Sequence, residues 1–237
     1  MWSALITCEH ASGQLPPGLS LGLPAATLES HVSMDRAAAP IARALASRLT
    51  APLHTGSWSR LVVDLNRREE NPDAILEETY GIRVPGNRSL SPGVRADRIA
   101  RWHRPYRQAA RDDALRLASE GGCLHISVHS FDPALDPAAR AFDIGVLFDT
   151  SREPEASAAA RIVSALCLAG LDARPNDPYA GVPEGLTSWL REQIPRGRYV
   201  GLELEVQQAR VASAAAQKVF AERLVQVVRA ELLALGL

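Results

Sequence analysis

The sequence predicts an α/β protein, a three-layer α/β/α sandwich around a mixed, largely parallel central sheet. Two observations predict it. Apolar runs with strand periodicity alternate along the chain with amphipathic helical stretches, the pattern of a sheet covered on both faces. Three of those runs, at residues 5–10, 123–131 and 199–206, end in or carry histidine or glutamate at their carboxyl ends. Open α/β sheets place their sites at such strand ends.

The elements follow in order. Residues 4–8 form the first strand, and His10 lies in the turn after it. Residues 25–34 read as loosely helical. Residues 37–49 are a clear helix, because Ile41, Leu45 and Leu49 share one face. Residues 52–55 and, more strongly, 60–66 read as strands. Residues 67–90 are polar and rich in turn residues, so a lid or binding loop is expected there. Ser91-Pro92 starts a helix that stops at Gly121-Gly122, and Pro105 must kink or split it. In the next strand Leu124, Ile126 and Val128 alternate with His125, Ser127 and His129. A polar loop runs to Arg140. Then come a strand at 142–148, a helix at 153–169, turn signals at 176–181, a short helix at 187–193, the strand at 199–206 and a helix at 212–235. The apolar stripe of that last helix is Val219, Phe220, Leu224, Val227 and Val228.

The chain has 237 residues, 46% of them hydrophobic and 22% charged, which suits a single soluble domain over residues 1–237. A net charge of -1 implies neither a nucleic-acid footprint nor membrane attraction. Lys218 is the only lysine, so arginine supplies the cations. Cys8, Cys123 and Cys167 are odd in number and widely spaced, which argues against a disulfide framework and reads as three small buried residues. No signal-peptide pattern precedes the first strand, and no run approaches the roughly 20 apolar residues that span a bilayer. A cytoplasmic protein is expected.

Several chemistries find no support. Gly121-Gly122 precedes a strand rather than opening a helix, so it makes no phosphate cradle. Ser12 lacks a GxSxG elbow. Cys8 and Cys123 lie in strands, where a reactive thiol is not expected. The strand-end residues suit a metal. Hydrolytic zinc sites take three ligands from His, Asp or Glu and leave one position open. His10 and His129 each follow a hydrophobic strand, and Asp35 is the third candidate. Glu203 and Glu205 alternate with apolar residues and share a face, with Cα atoms roughly 7 Å apart. Alternatives stand beside each: His125 shares the face of His129, Asp35 is equally placed to cap the following helix, and Glu203 can pair with an arginine.

Nine segments, in order, carry a resemblance. They are CEHAS at 8–12, HVSMD at 31–35, SRLVVDLNR at 59–67, VPGN at 84–87, HRPYR at 103–107, SVHSF at 127–131, FDIGVLFD at 142–149, NDPYAG at 176–181 and LELEVQQ at 202–208. Through them the sequence resembles the N-formylglutamate amidohydrolase family along nearly its whole length. The resemblance implies a fold like that of zinc-dependent exopeptidases and peptidoglycan amidases. It implies one divalent ion, Zn2+, and hydrolysis of a small anionic amide, with N-formyl-L-glutamate giving formate and glutamate. Carried over by position, His10, Asp35 and His129 match the metal positions and Glu205 the general acid/base, with His31 the chief rival for the third ligand. Arg60 and Arg140 suit the substrate carboxylates, since guanidinium pairs with carboxylate through two parallel hydrogen bonds. Asp64 and Asn66 suit orientation of the ligands, and Asn176 and Tyr179 suit the pocket wall.

The chain departs from the family pattern in places. Arg36 and then Ala37 follow Asp35 where glycine is usual, Glu9 stands where aspartate is common, and Gln207-Gln208 replace an arginine and an asparagine found in some members. The last of these keeps the acyl group open. A different zinc amidase, acting on an N-acyl amino acid or a cell-wall amide, and a non-catalytic binder of an acidic amino-acid derivative are the rival readings. Oligomeric state is not legible.

Overall fold

Period-two alternation and helical periodicity place the elements, and the computed structural model describes them for residues 1–135, 140–181 and 184–236. In chain order they are β1 (Trp2–Cys8), α1 (Ala25–Leu28), α2 (Ala38–Leu49), β2 (Leu53–Thr55), β3 (Glu78–Thr79), β4 (Ile82–Arg83), α3 (Pro92–Arg98) and α4 (Arg104–Glu120). They continue with β5 (Gly122–Phe131), β6 (Ile144–Leu147), α5 (Glu153–Leu168), β7 (Ala173–Pro175), α6 (Leu186–Gln193), β8 (Tyr199–Gln207) and α7 (Ala214–Leu235).

One six-stranded sheet has the order β2-β1-β5-β8-β6-β7, and β3 and β4 form a separate two-stranded sheet. Within the large sheet every neighbouring pair is parallel except β6 against β8. The mixed, largely parallel sheet of a three-layer α/β/α sandwich is therefore present. β5 lies in the middle, buried along its whole length. Its Leu124, Ile126 and Val128 pack with Leu202 and Leu204 of β8 in the main core, under α2, α5 and α7. Each such side chain contributes about 1.5–3 kcal/mol on burial. The opposite face is apolar only at its amino end, where Leu5, Cys123 and Tyr199 meet α4 and α6. Toward the carboxyl end the same face turns polar, and the site forms there.

Four expectations need correction. Residues 60–66 are turns rather than a strand. Their apolar side chains do not face one core: Leu61 and Val62 enter one satellite cluster, Val63 and Leu65 another, and the backbone turns to feed both. Only Ala25–Leu28 of the loosely helical stretch is helix. Val219 is half exposed, so the core face of α7 is Phe220, Leu224, Val227 and Val228. Cys167 is exposed, whereas Cys8 and Cys123 are buried. The sequence reading also overlooked β7, a three-residue edge strand ending in Pro175, where proline is tolerated.

The bend expected at Pro105 is a π-helical turn, Ile99–His103, between α3 and α4, with the Arg104 N–H reaching the Ile99 carbonyl. The wider turn absorbs a proline that cannot donate. Residues 67–90 are held by Asn87, whose Nδ2 donates to the Leu61 and Leu76 carbonyls at 2.8 and 2.7 Å. The buried Arg98 donates to Asn87 Oδ1 at 2.6 Å. Part of the polar loop expected before Arg140, residues 136–139, lies outside the described residues. No helix among the described residues is long and apolar enough to cross a membrane.

Candidate active site

Strand register assembles the site. Thr7 of β1 lies opposite Ser127 of β5, and Ser127 and His129 lie opposite Glu203 and Glu205 of β8. These side chains share one sheet face, and β1 runs on into Glu9 and His10. The turn bearing Asp35 is pinned to that strand end by an Asp35 N–H bond to the His10 carbonyl of 2.9 Å. Asp35 does not cap α2 with its side chain; Ala37 is the capping residue, in left-handed backbone at φ 67°, with no side-chain bond. The Asp35 carboxylate sits between the two histidines instead.

His10 Nδ1 and His129 Nδ1 approach the same oxygen, Asp35 Oδ2, at 3.3 and 2.8 Å. The ring centroids are 5.0 Å apart. One donor atom from each of His10, Asp35 and His129 lies within 4.8 Å of the others, and all three residues are buried. The second nitrogen of each ring is anchored on a carboxylate: His10 Nε2 is 2.7 Å from Asp64 Oδ1, and His129 Nε2 is 3.1 Å from Glu9 Oε2. Glu9 also accepts from the Ser127 hydroxyl at 2.6 Å and the Tyr106 hydroxyl at 3.0 Å. Arg60 Nη2 donates to Asp64 Oδ2 at 2.7 Å. Two imidazoles and a carboxylate converging on one point, each imidazole backed by a carboxylate, could hold a metal ion.

The charges are coupled. Burial alone would raise the carboxylates, but the His10 charge and hydrogen bonds from both histidines hold Asp35 far below its usual range. Arg60 and His10 do the same for Asp64. Glu9 is held down by His129 and Ser127 against its own burial. The histidines move the other way against their own burial: the hydrogen bonds His129 donates to Asp35 and Glu9 raise it, and the charges of Asp64 and Asp35 raise His10.

The two glutamates of β8 differ although they share a face. Glu203 accepts from the Thr187 hydroxyl. Glu205 Oε2 is buried and makes no hydrogen bond among the described residues. Burial, with Asp35 and Glu203 adding to it, pushes Glu205 up to about 8. An ion at the three donors would supply the positive charge this carboxylate lacks. Opposite Glu205 stands Gly145, where a Cβ would fall 1.8 Å from the Asp177 carbonyl oxygen. The loop after β7 thus closes directly over the sheet.

A cavity of about 460 Å³ opens onto the cluster and is lined by His10, Asp35, His129, Glu205, Arg60, Arg140 and Tyr179 among others. Arg60 is committed to Asp64 and lies 3.8 Å from Asp35. Arg140 Nη2 donates to the Tyr179 hydroxyl at 2.8 Å, and its guanidinium lies over the Phe131 and Tyr179 rings. It makes no ion pair with a carboxylate among the described residues, so it retains a charge for a ligand. Asn176 does not line the cavity. Its Oδ1 accepts from the Phe148 and Gly181 N–H groups at 2.9 and 3.2 Å and so shapes the loop that carries Tyr179. His31 lines the wall 3.2 Å from Asp132, outside the three-donor group. Asn66 Oδ1 accepts from the Leu186 N–H at 2.7 Å, and its Nδ2 is 3.5 Å from His129 Nε2.

His125 is remote from the cluster, held between Thr7 Oγ1 at 2.8 Å and the Tyr199 hydroxyl at 2.7 Å. Burial holds it down to about 4. The unfolded chain protonates this ring near 6.5, so stability from the neutral ring is present above that value and lost as pH falls toward the folded value. The stability advantage of the wild type over His125→Gln, read from urea unfolding, is expected to shrink by about 2 kcal/mol between pH 7 and pH 5. An advantage independent of pH would contradict the neutral assignment.

Sequence reading missed the supports of the site. Arg107 Nη1 donates to the Leu65 and Arg67 carbonyls at 3.1 and 2.9 Å, and His103 Nε2 lies 2.7 Å from the latter oxygen. These bonds fix the turn that presents Asp64 and Asn66. The thiols take no part: burial raises Cys8 and pushes Cys123 up to about 12.

Comparison with known proteins gives the family and the fold. The family described as N-formylglutamate amidohydrolase matches residues 2–212. Among solved structures the chain is similar to a gene product from Agrobacterium tumefaciens, with 29% identity and a TM-score of 0.85 over 98% of this chain and 91% of that one. It is similar in fold to N-formylglutamate amidohydrolase from Ralstonia eutropha JMP134, with 17% identity and a TM-score of 0.68 over 95% and 92% of the two chains. No curated protein sequence matches it significantly.

Proposed function

The chain belongs to the N-formylglutamate amidohydrolase family, and on that premise we propose that it is a divalent-metal-dependent hydrolase that cleaves N-formyl-L-glutamate to formate and glutamate. The observation that carries the reading is the convergence of His10 and His129 on Asp35 beside Glu205, whose buried Oε2 makes no hydrogen bond among the described residues. We read residues 1–237 as one amidohydrolase domain, with 67–90 as its binding loop.

His10, Asp35 and His129 would hold the ion, which when bound supplies Lewis-acid polarisation of the amide carbonyl and acidifies water. Glu205 is the proton carrier. It takes a proton from the attacking water and delivers it to the leaving nitrogen, converting a poor amide leaving group into an amine. Its neighbours suit that work: Glu203 is occupied by Thr187, and no group among the described residues hydrogen-bonds to Glu205 Oε2. Arg60, steered by Asp64, faces developing negative charge near Asp35. Arg140 holds a substrate carboxylate, with Tyr179 completing the clamp. Gln207 and Gln208 do not line the cavity: Gln207 donates to the Arg140 carbonyl at 2.9 Å and Gln208 to Ser130 Oγ at 3.2 Å, so this departure from the family supports the wall from behind.

A panel of N-acyl amino acids tests the substrate. Formate release from N-formyl-L-glutamate is expected to exceed that from N-formyl-L-glutamine, which lacks the side-chain carboxylate, by at least about tenfold in kcat/KM. Equal rates would remove Arg140 from substrate recognition. Hydrolysis of another acyl group alone would move the substrate within the amide class.

A further inference from the structure

The tip of the β3–β4 hairpin carries a residue that its own turn does not favour. Thr79 pairs with Ile82, leaving a two-residue loop, Tyr80-Gly81. Both loop residues have positive φ, 49° and 72°. That is the backbone of a type I′ turn, for which Asn-Gly, Asp-Gly and Gly-Gly are the preferred pairs. A bulky aromatic residue there is an outlier, and such strain persists where surrounding structure or function maintains it.

Nothing in the hairpin itself requires the ring. Tyr80 is 53% exposed, yet it lines the site cavity. Its ring meets His31 edge to face, with centroids 5.3 Å apart. Its hydroxyl makes no hydrogen bond among the described residues and lies within electrostatic reach of both Arg60 and Tyr179. Tyr179, 40% exposed, stands on the loop after β7 beside Arg140. Two tyrosines from separate segments therefore line the same cavity as the two arginines.

We propose that Tyr80 is a specificity-determining residue: its ring covers the amine-side half of the bound amide, and its hydroxyl donates to a carboxylate of that substrate. The proposal rests on the functional reading above and adds to it a recognition element outside the nine family segments. It explains why the turn carries tyrosine in place of asparagine. It also gives residues 67–90 a definite task, placing one donor over the substrate.

The test compares the full-length, metal-loaded wild type with Tyr80→Phe and Tyr80→Asn. Asparagine accepts left-handed backbone more readily than tyrosine, so Tyr80→Asn is expected to unfold at the same or a higher temperature. Both variants are expected to raise KM for N-formyl-L-glutamate about tenfold, the effect of losing one hydrogen bond to a charged group, with kcat changed much less. Metal content stays at the wild-type value. An unchanged KM in both variants overturns the proposal. So does a Tyr80→Asn protein that unfolds several degrees lower, which would make the residue structural. If the wild type releases no formate, the substrate reading fails separately, and calorimetric titration with L-glutamate decides the role of Tyr80. About tenfold weaker binding by Tyr80→Phe then supports it, while equal binding, or no binding to the wild type, overturns it.

Discussion

Replacing Glu205 by glutamine is expected to leave the protein folded and metal-loaded while lowering kcat by about a thousandfold, within the range of general acid–base groups. The substitution keeps size and shape at a position 7% exposed. Because Glu205 Oε2 makes no hydrogen bond among the described residues, the amide breaks no existing contact there. Burial already favours the neutral form of this side chain. What the amide cannot do is accept a proton from water and pass it on. Metal analysis beside steady-state kinetics checks both halves of the prediction. Retained turnover would transfer the proton-carrying role to Glu203, and Glu203→Gln would then be the inactive variant.

The second large effect is loss of the metal from His129→Ala. Removing an outer partner of a ligand typically costs about 10–100-fold in metal affinity, and removing one of three direct donors is expected to cost more. The same change strands Asp35 and Glu9, which now share His129 at 2.8 and 3.1 Å. Leaving buried charges without their partner destabilises a fold by about 3–5 kcal/mol, so circular dichroism must accompany the metal measurement. The expected result is a folded, less stable protein with little bound metal. Stoichiometric metal in folded His129→Ala would assign the third position to another donor, with His31 a candidate on the cavity wall.

The parts of this site that were legible in the sequence are those governed by local rules. His10, His129 and Glu205 stand where period-two alternation meets the carboxyl ends of strands, and an open α/β sheet brings such ends together. Asp35 was legible as a candidate, but whether it capped a helix or faced the histidines depended on a backbone bond to His10, 25 residues away. Strand register was not legible. It places Glu9 beside His129, a pairing that no spacing within either strand encodes.

Residues 60–66 misled because apolar residues in a row look like a strand even when they feed two clusters. Nothing in the local sequence marks Arg98 and Arg107 as buried, yet both lie against backbone carbonyls far away in the chain. Desolvation pushes Arg107 down to about 10. Such residues matter to the site because they position the turn carrying Asp64 and Asn66.

The most direct test of the account is formate release from N-formyl-L-glutamate by protein titrated with zinc from the metal-free state. Release proportional to bound metal up to one equivalent is expected, abolished by a chelator and restored by added zinc. Full activity in the metal-free protein, or no formate at one equivalent of bound metal, would contradict it.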